Sequence, residues 1–413
     1  MEVKLITVPK IKKDRSVWLE KNFLLLFFGI FLSNLTFHFF TLAIPIMIYN
    51  MTQSTLAMSS MRAMEFLPNL LLGMFIGVLF DRYNKKRIMI ITILLQIISM
   101  TILIVLTITE MLNLWQVYLL GFCLYTCGFS FVIAYQSLLP MLIKRNQLLP
   151  ANSMIQLNNT LTNTIGPALS GFLLLVVSYS YGFMVTVIGL TLLLIFVLLI
   201  NGPYENVTRD IEKKNSTIWI EIKEGWYQLT STDALWKGTL MILFMNLASA
   251  TSGAVLIFYA LDSLMINETH LGAILSAAAI GGLFSTFFGK RSRNWMSRGG
   301  LFLTSISIVI LGQFMFLISQ SWIYLCIGNF FIGLGVTFVN IHFITLRQEL
   351  TPSKYLGRVI GTSSMITKLT MPISFLSVGF IAEFIEVRYV FVASLTILVL
   401  LFIFIRKPML QIK

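Results

Sequence analysis

The chain has 413 residues, 57% hydrophobic and only 11% charged, against roughly 25% charged in a typical soluble domain. Thirty Lys and Arg face seventeen Asp and Glu, a formal charge of +13. These proportions exclude disorder, a disulfide scaffold and most soluble enzymes, and the apolar content excludes a nucleic-acid binder despite the basic balance. Residues 1–21 are a polar, basic tail. The apolar run that follows is too long for the core of a cleavable signal. Breaking the rest at charged and turn-rich stretches gives twelve predicted spans: 22–49, 55–80, 88–109, 114–137, 153–176, 183–201, 238–261, 271–289, 300–319, 322–346, 359–384 and 389–405. Each has about the 20 residues a bilayer crossing needs, and runs this long and apolar are helices rather than barrel strands. The expected fold class is an all-α membrane protein embedded in lipid.

Charge asymmetry orients it. With twelve spans, 27 of the 30 cations fall in the tails and loops of one side, whereas the other side holds only Arg388. Arg62 and Lys368 lie inside spans. The positive-inside rule makes the charged side cytoplasmic, with both termini there. The longest loop, 202–237, divides the chain into a six-helix bundle at 22–201 and another at 238–405, followed by a tail at 406–413. Two halves joined this way are the layout of a transporter with internal pseudo-symmetry. Within the loop, Ile218 to Leu229 reads as an amphipathic helix, lying either on the membrane surface or under the bundle. Cys123, Cys127 and Cys326 sit in apolar runs and read as packing residues; no metal site or cofactor is expected.

The sharpest motif closes the second span, Gly73-Met-Phe-Ile-Gly77-Val-Leu-Phe-Asp81-Arg82-Tyr-Asn-Lys85-Lys86-Arg87. Gly73 and Gly77 let a neighbouring helix approach closely. Asp81 leaves the membrane beside four cations, where a carboxylate either pairs with Arg82 or Arg87 or caps the positive N-terminus of an adjacent helix. Made in one conformation and broken in another, such a contact is a gate latch. Gly77, Asp81, Arg82, Lys85 and Lys86 match, position by position, the G-x-x-x-D-R-x-x-[RK]-[RK] signature of the major facilitator superfamily, which this chain resembles from about residue 20 to 405. The resemblance implies twelve helices in two pseudo-symmetric six-helix bundles. It also implies secondary transport of a small molecule, with no catalytic site.

Gly166-Pro167-Ala-Leu-Ser-Gly171 in span 5 is similar to the kink element of the superfamily's antiporter branches, and also reads as a plain packing bend. Pro352 to Val359, Leu139 to Asn152 and Glu224-Gly225 look like the branch containing macrolide efflux pumps and the enterobactin exporter. Gly289 to Arg293 is a second-half copy of the gate motif without its acidic residue, which predicts a one-sided latch. Residues 114–137 carry no charge, although drug–proton antiporters of the superfamily often have an arginine in that span.

Charges at depth are expensive and need a reason. Glu65 lies 16 residues before Asp81, about 24 Å along a continuous helix. It is either a coupling carboxylate or the structural partner of Arg62. Lys368 lies 10 residues beyond Arg358, about 15 Å deep, and must face protein or a water-filled cavity. Those depths differ by about 9 Å, which argues against a permanent Glu65–Lys368 bond. His38 in span 1 is a proton-relay candidate or a satisfied polar group. Asn34, Thr41, Asn246, Asn329 and Asn340 are polar positions in spans 1, 7 and 10, which the resemblance places around a central cavity. The 34 Phe and 21 Met suit adaptable binding of bulky apolar ligands. Without a Walker loop, energy must come from an ion gradient or the substrate gradient. The favoured expectation is a monomeric, proton-coupled exporter of amphipathic molecules, beside a siderophore or peptide exporter, an importer of the same superfamily, or a membrane sensor that moves nothing.

Overall fold

A computed structural model describes residues 17–53, 57, 60–61, 64–201, 217–266, 268–292, 296–374 and 386–410. Arg62, Arg293 and the opening of the central loop at 202–216 lie outside them. Among the described residues there is no strand. The helices are α1 (Lys21–Thr52), α2 (Leu67–Arg82), α3 (Lys85–Ile108), α4 (Leu114–Leu142), α5 (Leu148–Val176) and α6 (Tyr179–Leu199). Then come α7 (Ile218–Ser231), α8 (Asp233–Phe258), α9 (Glu268–Ser292), α10 (Arg298–Leu317), α11 (Trp322–Leu350), α12 (Leu356–Lys368) and α13 (Val387–Leu410).

Local chemistry sets several of these starts. Asn113 and Gln116 form a reciprocal capping box at the head of α4. Asn84 accepts the Arg87 amide at the head of α3, and Ser297 the Gly300 amide at the head of α10. Pro68 sits in the first turn of α2, where its missing N–H costs nothing.

Nine of these helices, all but α2, α5, α7 and α12, are long and apolar enough to cross a membrane among the described residues. The central helix α7 is the amphipathic one. Of the other three, α2 and α12 stand at predicted spans that extend outside the described residues, whereas α5 is described throughout and is not apolar enough. α2 packs on α12, and α5 packs on α9 and α11, so all three meet the opposite half. A helix that faces protein tolerates Asn152, Asn158, Asn159 and Asn163, as α5 does, where a lipid-facing helix would not.

The apolar cores follow the halves. One cluster joins Phe23, Leu26, Met89, Leu138 and Leu193, and another joins Phe39, Phe40, Met100 and Phe183. In the second half, Met241, Phe302, Val339 and Phe343 form one cluster, and Tyr259, Phe316 and Phe391 another. Helix α12 serves both sides. Its Leu356 and Ile360 enter the first half's core, while Val359 enters the second's.

Candidate functional site: a charged latch and the cavity behind it

The two halves are joined at the end that carries the basic loops. Gly73 and Gly77 of α2 face Gly357 and Gly361 of α12, two glycine pairs of the same spacing. A Cβ on Gly77 would stand 2.5 Å from the Gly357 carbonyl oxygen, and one on Gly357 would stand 2.8 Å from that of Gly77. Only bare backbone permits this approach. It brings Asp81 to the head of α12, where the carboxylate accepts the Gly357 amide at 2.9 Å and the Arg358 amide at 3.0 Å. Of the arrangements open from the sequence, Asp81 therefore adopts the helix cap. Those amides have no partner inside their own helix, and the positive end of the helix dipole favours an anion there.

Helix α7 completes the network. Glu221, Gly225 and Leu229 form its buried stripe at i, i+4 and i+8. Trp219 packs edge-on against Phe75, and Trp226 packs at a tilt against Trp236. The helix therefore packs under the bundle, with Ile220 and Tyr227 outward. Gly225 leaves room for the Arg358 side chain, whose Cβ would stand 2.7 Å from an added Cβ. The Arg358 guanidinium then reaches Glu221 at 2.5 Å, Glu224 at 2.6 Å and Asp81 at 3.4 Å. Arg82, beside Asp81, pairs with Glu221 at 2.8 Å. The network thus ties α2, α7 and α12 together. Lys86 donates to the Leu198 and Ile200 carbonyls and so closes the end of α6. Lys85 lies close enough to act electrostatically on Asp81. Arg87 is exposed.

More polar bonds cross between the halves at the same end. Asn152 donates to Thr345 and to Gln348, and Gln348 donates to the Gln136 carbonyl. Arg145 reaches the Glu349 carbonyl, while Arg298 pairs with the Glu349 carboxylate at 2.8 Å. The second-half motif lacks an Asp81, and Gly289 there simply packs near Ser153 of α5.

Behind this latch lies a cavity of about 610 Å³ between the halves. Asn34, His38, Thr41, Asn246 and Asn340 line it, as do Glu65 and Lys368. His38 hydrogen bonds with Asn163 and packs on Gly166, where there is no room for a side chain. Asn246 donates to the Thr367 carbonyl. Pro167 lies within α5, and Gly171 has no neighbour within 4 Å of a would-be Cβ.

Three expectations need correction. Asn329 is not a cavity residue; it is buried and donates to the Ile274 carbonyl, tying α11 to α9. The depth mismatch between Glu65 and Lys368 rests on one continuous helix, but α2 begins at Leu67 and Glu65 lies in the preceding turn. Both residues therefore line one cavity, and Glu65 is among the charges acting on Lys368. Finally, Arg347 and Arg358, counted with the loop cations, are both buried. Arg347 ends up in the cavity, bonded to Gln136 and Ser363 and packed over Phe343. Sequence reasoning missed it because it sits at the edge of a basic segment. The missed signal is its position in helical register with Phe343 and Asn340, one and two turns earlier.

The comparisons with known proteins agree with this geometry. Macrolide efflux protein A of Streptococcus pyogenes is 26% identical over 356 residues, covering 84% of this chain and 86% of the relative. Macrolide efflux protein A of Enterococcus faecalis is 26% identical over 322 residues, covering 76% of this chain and 97% of the relative. A crystal structure of a bacterial homologue of the iron transporter ferroportin in its outward-facing state superposes with a TM-score of 0.73 at 17% identity, covering 94% of this chain and 99% of that one. The sequence profile of the Major Facilitator Superfamily matches residues 26–296 and 240–409. With its helical architecture, inter-half glycine crossing and capped α12, the chain belongs to the Major Facilitator Superfamily.

Proposed function

We propose that this transporter exports amphipathic drug-like or secondary-metabolite molecules of macrolide type, driven by protons entering the cell. It works as a monomer in a bacterial-type cytoplasmic membrane, with both termini and the charged latch on the cytoplasmic side. The observation that carries this reading is the cavity itself. Its volume of about 610 Å³ falls in the range of small-molecule sites, about 300–1,000 Å³. Its wall mixes Phe37, Phe129 and Phe343 with amides and the carboxylate of Glu65. The names of the curated relatives support efflux as the direction.

In this mechanism the latch around Asp81 and Arg358 holds the cytoplasmic side shut while the cavity releases its load outward. Breaking the latch lets the two six-helix bundles, 22–201 and 238–405, rock and admit the next molecule from inside. Glu65 is the carboxylate that exchanges the proton. The test uses proteoliposomes with an imposed pH gradient and a labelled panel that includes erythromycin. Gradient-dependent movement of panel members supports the reading. No movement of any compound, or equal movement with the gradient collapsed, overturns it.

A further inference from the structure

We propose that the cavity selects amphipathic organic anions, seating an acid group against Arg347 and Lys368. This rests on reading the cavity as the substrate site, but it departs from the macrolide type, whose amino sugars are basic, and narrows the amphipathic ligands to acids.

Among the described residues, the charged groups that line the cavity are Arg347, Lys368 and Glu65, with His38 as a further titratable group. Two cations against one carboxylate leave an excess of positive charge. Arg347 is the more telling of the two. It is only 4% exposed, and it forms no ion pair among the described residues. Its two bonded nitrogens reach neutral oxygens, the Gln136 amide at 2.7 Å and the Ser363 hydroxyl at 2.8 Å, and its Nε has no hydrogen-bond partner.

A guanidinium held in an apolar enclosure without a counter-charge is costly unless something else neutralises it. The neighbouring cation Lys368 does the opposite, since the two lie close enough to repel each other. Lys368 is open to the cavity rather than packed away, so a ligand can reach it. A carboxylate suits this pair. It offers two oxygens, and charge-assisted bonds to a guanidinium are among the strongest polar contacts available. Phe343, under the Arg347 guanidinium at 5.4 Å, and Phe129 would hold the apolar part of the same molecule.

Purified full-length protein in lipid nanodiscs can be titrated with pyrenebutyric acid, its methyl ester and pyrenebutylamine, which share one apolar body. Pyrene fluorescence reports binding. The acid should bind about tenfold or more tightly than the ester or the amine, the size expected for a hydrogen bond to a charged group. Arg347→Gln and Lys368→Gln should each weaken binding of the acid more than that of the ester and so remove most of that preference. Arg347→Lys, which keeps the charge, should restore part of it. If a variant is not monodisperse, the three-probe comparison on the parent protein decides alone. Equal or tighter binding of ester or amine overturns the proposal, as does an acid preference that survives both substitutions. Export of neutral and basic compounds without any preference for acids overturns this inference while leaving the exporter reading intact. No probe bound and no compound transported overturns both.

Discussion

Gly77 and Gly357 meet backbone to backbone across the two halves, so closely that a Cβ on Gly77 would stand 2.5 Å from the Gly357 carbonyl oxygen. Backbone does not yield as a flexible side chain does. Gly77→Ala should therefore push α2 and α12 apart, at about 1–3 kcal/mol for overpacking. Spin labels at exposed Tyr83 and Ser353 would report a longer distance in the variant. Gly171→Ala, with open space around it, should be neutral or stabilising by at most about 1 kcal/mol. An unchanged label distance in Gly77→Ala would contradict the crossing.

Asp81→Asn should insert and fold yet transport poorly. Asparagine retains one acceptor for the α12 amides but loses the charge and the second acceptor. The loss of a charge-assisted bond, about 1.5–3 kcal/mol, should shift the latch equilibrium by about tenfold or more. Initial transport rates and the same label pair check this; full activity with parental distances would remove Asp81 from the gate.

Arg358→Gln should be the most damaging single change in the latch. It leaves Asp81, Glu221 and Glu224 crowded together without Arg358, with Arg82 still paired to Glu221. Removing one partner of a buried pair costs about 3–5 kcal/mol, because the uncompensated charges remain. Thermal unfolding in detergent would show a lowered Tm. Glu221→Gln combined with Arg358→Gln should cost less than the sum of the two separate changes, and strict additivity would mean the pair is not coupled.

Glu65→Gln tests coupling. If Glu65 carries the proton, the variant should still bind ligand but lose its response to an imposed pH gradient. A parental gradient response would assign Glu65 a structural role.

Asp81 and the glycine spacing were legible in the sequence because a carboxylate at the mouth of a small-residue helix has few other uses. The partner glycines, Gly357 and Gly361, were less visible, since pairing between distant helices leaves no local period. Glu221 read only as part of an amphipathic helix and Glu224 as part of a branch-like Glu-Gly pair, and nothing in the sequence said that either would meet Arg358. Arg347 was hidden by its neighbourhood. At the end of a span a cation satisfies the charge-sidedness rule whether it points outward or inward, and only packing decides. Glu65 was placed too far from Lys368 because a helix was counted through a turn. The cavity polar groups of α1 and α8 came through because an amide inside an apolar run is costly without a purpose.

Helix α5 has a consequence for how the protein is made. It packs on α9 and α11 of the opposite half as well as on α1, and it is not apolar enough to cross a bilayer by itself. A segment of that kind partitions weakly from the insertion machinery into lipid on its own hydropathy. Asn158 and Asn159 meet partners on α1, already made, at the Phe27 carbonyl and Asn34. Asn152 must wait in the nascent chain for Thr345 and Gln348 of α11. The polarity that suits α5 to lie between two halves makes its entry into the membrane depend on company. Mutations that weaken that entry would lower the amount of protein before they touched its activity.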